Sequence, residues 1–141
     1  MKHLWSVLCT RGIIDKQSNN VSIFEILEEI HVPRSAVARE TEPIVGVLAN
    51  WVSSFSRTNN DIPETGKIRD VIKLPSGKSF GTRESDIDLK NVKRRRLIRA
   101  IPLPPKNEEG TYIFETSLKG EGENRWKKVS EIPLELILDD M

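Results

Sequence analysis

The chain has 141 residues, 22 of them Lys or Arg and 21 Asp or Glu, for a net charge of +1. So small a charge gives no global field to draw the protein toward nucleic acid or an anionic membrane, and an electrostatic partner would have to meet a local patch. At 37% hydrophobic and 30% charged residues, the composition fits one globular domain over residues 1–141, burying roughly two-thirds of its unfolded surface, and argues against a disordered segment.

Cys9 is the sole cysteine, so no intramolecular disulfide can form, which suits a reducing, cytoplasmic setting. In the opening "MKHLWSVLCTRG", the apolar run from Leu4 to Cys9 is too short for a signal-peptide core and Arg11 interrupts it. It reads instead as a strand, with Cys9 alternating with Val7 and Trp5 as a small buried residue, and with Trp5 expected in the core. After the polar turn "DKQSNN" comes "VSIFEILEEI", which supports two readings. Ile23, Ile26, Leu27 and Ile30 recur at helical spacing, and Ser22 with Glu25 matches a capping box. Ser22, Phe24 and Ile26 also alternate against Ile23, Glu25 and Leu27, and the preceding turn favours a strand across Ser22–Ile30.

The stretch "PIVGVLANWVSSF" predicts a longer strand in which Val45, Val47, Ala49, Trp51 and Phe55 share one side. Its apolar part is about half a membrane span and includes Asn50. "GKIRDVIKL" places Ile68, Asp70, Ile72 and Leu74 opposite Lys67, Arg69, Val71 and Lys73, and the turn "LPSGK" follows, with Gly77 free to take positive φ. "TYIFETSL" sets Tyr112, Phe114, Thr116 and Leu118 against Ile113, Glu115 and Ser117. "EIPLELIL" puts Ile132, Leu134, Leu136 and Leu138 on one face, with Pro133 marking a sheet edge or a first ladder position. Seven or eight such strands, with at most one or two short helices, predict an all-β antiparallel sandwich, immunoglobulin-like or C2-like. Tyr112, at the start of a late strand, stands where immunoglobulin-like folds place a tyrosine whose hydroxyl ties a loop back to the backbone.

The opening segment "HLWSVLCTRGIIDKQSNNVSIFEILEEI", the "LPSGK" turn, "RAIPLPP…EEGTYIFETSL" and the terminal "EIPLELIL" together resemble a family of small, uncharacterised prokaryotic, bacterial proteins. The resemblance implies a cytoplasmic β-sandwich. It lends no activity, cofactor or site residue.

One stretch carries concentrated charge. From Lys90 to Arg99 the basic residues are Lys90, Lys93, Arg94, Arg95, Arg96 and Arg99, with no acid among them. Such a run could neutralise phosphates in a salt-sensitive, sequence-blind way. In an extended strand, however, Arg94 and Arg96 part company from Lys93, Arg95 and Arg99. Glu84, Asp86 and Asp88 lie just upstream, and no aromatic is interleaved as a stacking platform. A solvated strand edge, its lysines and arginines blocking edge-to-edge pairing, is the preferred reading.

"ESDID" alternates as a strand's polar face would and makes a poor calcium loop. His3 and His31, the only histidines, lack metal-ligand spacing. No nucleophile–base motif, phosphate loop or dinucleotide fingerprint is present. These readings point to a non-catalytic module without metal or cofactor, acting through protein–protein contacts or self-association. Trp126, among charges in "ENRWKKVSEIP", and Tyr112 are the candidate contact residues. The alternative is a nucleic-acid-associated protein using Lys93, Arg94, Arg95, Arg96 and Arg99.

Overall fold

The computed structural model describes residues 1–37 and 47–140. In chain order these contain β1 (Lys2–Ile14), β2 (Val21–Ile26), β3 (Glu29–Pro33), a single helical turn α1 (Arg34–Val37), β4 (Val47–Ser56) and β5 (Glu64–Lys73). There follow β6 (Ser79–Leu89), β7 (Arg94–Leu103), β8 (Gly110–Gly120) and β9 (Lys127–Asp139). The protein is all-β, with nine strands among the described residues where seven or eight were expected. The strands form a four-stranded sheet in the order β2-β1-β4-β7 and a five-stranded sheet in the order β3-β9-β8-β5-β6. Residues 43–46, expected to open the strand that holds Trp51, lie outside the described residues. Among the described residues, no helix is long and apolar enough to cross a membrane.

Period-two alternation sets which side chains meet between the sheets. Tyr112, Phe114, Thr116 and Leu118 of β8 are buried, whereas their intervening neighbours are less so. Leu134 and Leu136 of β9 point the same way. From the other sheet come Leu8, Ala49, Trp51 and Leu103. The Trp51 and Phe114 rings meet edge to face, 5.3 Å between centroids, an arrangement that adds roughly 0.5–1.5 kcal/mol to the burial itself. A second cluster, built on Phe55, Ile68, Ile87, Leu89 and Leu118, fills the other end of the same interlayer space.

Pro133 shows how closely sequence and edge agree. Glu135 donates its N–H across to Glu28, next to β3, so the nitrogen two residues earlier in β9 points to the same side. β3 begins to pair with β9 only at Glu135, and a residue without an N–H costs no ladder bond there.

Three expectations need correction. The stretch Ser22–Ile30 is extended, but as two strands in different sheets. Glu25 takes φ 53°, and the chain then crosses layers: Leu27 donates to Leu8 O in the first sheet, and Glu28 accepts from Glu135 in the second. Burying Leu27 between the layers fits this crossing better than either a continuous strand or a helix. The sandwich is also not wholly antiparallel, because β3 runs parallel to β9. Finally, Trp5 is 37% exposed. The register shift between His3 and Trp5 sets Trp5 opposite Ser54, on the outward side of the sheet.

That outward side is partly covered. β1 pairs with β4 only as far as Cys9, and from there pairs with β2. The β1–β2 hairpin folds back over the sheet: a side chain at Gly12 would meet Val52 Cγ2 at 3.6 Å. At the hairpin tip Asn19 O accepts from Arg96 Nη1 at 2.7 Å. Val52 faces away from the core yet is buried, because this flap lies over it. Cys9 is buried on the same side, its thiol 3.6 Å from Asn50 O, and burial raises its pKa.

Candidate functional site

Asp70 lies on the apolar side of β5, between Ile68 and Ile72, and Arg99 lies on the apolar side of β7, between Leu97 and Ile101. Both are almost fully buried, at 5% and 4% exposure, and they meet across the two sheets. Arg99 Nε lies 2.9 Å from Asp70 Oδ2, and Arg99 Nη2 donates to Asp70 Oδ1 at 3.2 Å and to Ser53 Oγ at 3.0 Å. Thr116 Oγ1 donates to Asp70 Oδ1 at 3.0 Å. The guanidinium carbon sits 4.3 Å from the Trp51 ring centroid, a desolvated cation over an aromatic face. The polar chain continues from Ser53 Oγ to Ser6 Oγ at 2.6 Å and from Ser6 to His3 Nε2 at 2.7 Å.

Burial pushes the Asp70 carboxyl above its ordinary value against the pull of Arg99, and lowers Arg99 to about 10. Both shifts have the sign of a charge removed from water. The pair therefore adds little net stability over apolar residues of the same shape, although stranding either partner would be costly. Burial likewise lowers the His3 pKa.

The ion pair forms the floor of a cleft of about 230 Å³ where the edge strands β6 and β7 diverge. Ile72, Phe80 and Ile101 give it apolar walls, and Arg83 stands beside them. Phe80 precedes Gly81, which takes φ +74°, a conformation that suits a residue without Cβ. The register of β5 against β6 slips at the same place, between Val71 and Ile72.

The residues singled out from the sequence do not converge here. β7 is an edge strand, and its basic run is divided between two faces. Arg99 is buried and so cannot serve as a nucleic-acid contact. Arg96 is bound to both the carbonyl and the side chain of Asn19. Lys93, Arg94 and Arg95 are exposed. Tyr112 is fully buried and so is not a contact residue. Its hydroxyl lies 2.7 Å from both the Lys106 and Glu108 carbonyls and accepts from Glu108 N at 3.1 Å, which is the loop-tying arrangement anticipated for it. Trp126 is half-buried on the outward side of the other sheet, 4.2 Å from the Arg69 guanidinium and 4.8 Å from Lys119 Nζ.

Sequence reasoning missed the Asp70–Arg99 pair, although the signal was present. A carboxylate sharing parity with Ile68 and Ile72 must be buried, and a buried carboxylate needs a cationic or hydrogen-bonding partner. Compared with known families and with curated proteins, the chain matches none.

Proposed function

We propose that this protein is a non-catalytic binding or assembly module that acts through protein–protein contacts. The observation that carries the reading is an apolar surface, exposed among the described residues, on the outward side of the four-stranded sheet. Leu48 is 66% exposed, Ile26 61% and Ile98 41%. Ile26 lies opposite Cys9, Cys9 opposite Asn50, and Ile98 opposite Val52, so these side chains rise from neighbouring positions of one face. Phe24 and Ile13, on the flap beside them, are exposed as well. Exposed apolar residues gathered on one face mark contact surfaces, whereas scattered ones need no explanation.

The loop anchor at Tyr112 favours an immunoglobulin-like arrangement within the sandwich, and the resemblance to small prokaryotic proteins belongs to the same reading. The single buried Cys9 suits a reducing cytoplasm. The nucleic-acid alternative retains Lys93, Arg94 and Arg95, with Arg94 and Arg95 on opposite faces of β7.

Light scattering across a concentration series, together with capture of partners from the native cell, tests the proposal. Leu48→Asp with Ile98→Asp should abolish the association, and Trp126→Ala, on the other sheet, should leave it intact. A strict monomer that captures nothing, or an association indifferent to the Leu48/Ile98 change, overturns it.

A further inference from the structure

We infer that the cleft between β6 and β7 is a binding site for a compact apolar carboxylate, held by Arg83 over the buried Arg99–Asp70 pair. Three observations converge on it. The first is charge. Asp70 offsets only one of the two arginines Arg83 and Arg99, leaving the site with one excess positive charge, and Arg83 has neither an ion-pair nor a hydrogen-bond partner among the described residues. Its field reaches the floor, since it disfavours the charged form of Arg99 and favours that of Asp70. A ligand anion would complete the balance.

The second is the donor inventory. Arg99 Nη1 uses one donor, on Leu97 O, and a guanidinium carries five. Trp51, 3% exposed and lining the cleft, has its indole Nε1–H buried without a hydrogen-bond partner among the described residues. Buried donors left open favour a ligand that only accepts, as an ionised carboxylate does. Asp70 Oδ1 is already taken by Arg99 and Thr116, and Oδ2 is held in the ion pair 2.9 Å from Arg99 Nε.

The third is shape. Ile72, Phe80 and Ile101 line a space of about 230 Å³, smaller than the roughly 300–1,000 Å³ of pockets for drug-sized ligands and suited to one aliphatic or aromatic side chain. A free small acid and the C-terminal residue of a protein share this chemistry. Among the described residues β6 and β7 are edge strands of the two sheets, which would let a peptide add as a strand.

The test is an NMR titration of the full chain, following the Trp51 indole N–H and the amides of Gly81 and Thr82. The probes are 4-methylpentanoate, 4-methylpentanamide, and a pentapeptide ending in Leu as free acid or as amide. At least one acid should give saturable shifts, its matched amide should bind at least tenfold more weakly, and Arg83→Ala should weaken the acid by a similar factor. Phe80→Ala, an exposed change at the cleft wall, should also weaken it. Tighter binding of the peptide acid assigns the site to a protein C-terminus, and tighter binding of 4-methylpentanoate assigns it to a small metabolite. Either result supports the proposal. Absence of saturation for both acids at 10-millimolar order, equal binding of acid and amide, or full affinity in Arg83→Ala overturns it.

Discussion

Removing the hydroxyl of Tyr112 would leave the Lys106 and Glu108 carbonyls without their tether and change nothing in the aromatic packing below. Tyr112→Phe should therefore cost about 1–2 kcal/mol. Urea unfolding would show this as a lower midpoint with an unchanged slope, and an unchanged midpoint would contradict the anchoring role.

The two histidines should act in opposite directions on stability. Burial depresses His3, so the folded state resists its protonation, and stability should fall as pH drops from 6.5 through the folded-state value. His31 is raised by hydrogen bonds to Asp139 and Glu29. Its contribution is present below 6.5 and lost as pH rises through its folded-state value, and because the side chain is exposed, solvent screens it. His3→Gln should flatten the acid side of the stability–pH curve, and His31→Gln should act weakly on the other side. Tyr112 was legible as an anchor from its place at the head of a late strand, whereas its distance from any surface was not, because a tyrosine at such a corner serves equally well half-exposed.

At the scale of the elements, the β1–β2 hairpin is held at its tip mainly by Arg96 on Asn19. Arg96→Ala should speed amide exchange across Arg11–Phe24 while lowering global stability by under about 1 kcal/mol. Unchanged exchange there would mean that the hairpin is held along its length.

The strands themselves were readable because each keeps one apolar side, as in β8 and β9. The break inside Ser22–Ile30 was not. Both halves continue the same alternation, and the turn falls at Glu25, a residue type that carries no signal for positive φ. The parallel pairing of β3 with β9 joins residues over 100 positions apart, and no local pattern encodes it. Trp5 misled for a related reason, since a one-residue slip at Leu4 moves every following side chain to the other face.

Across the whole molecule, two sheets stand face to face, and the buried Asp70–Arg99 ion pair joins them. An exposed apolar patch lies on the outward side of the four-stranded sheet, and a small charged cleft opens where the edge strands part. All of this depends on Asp70 and Arg99 pointing inward from opposite layers. A double-mutant cycle with Asp70→Leu, Arg99→Met and the combined variant, read by chemical denaturation, tests it most directly. Each single change should cost about 3–5 kcal/mol by stranding a buried charge, and the double variant should recover most of that loss or all of it. Losses that add to within about 0.5 kcal/mol would show that the two residues do not meet, and would contradict the packing of the two sheets on which the account rests.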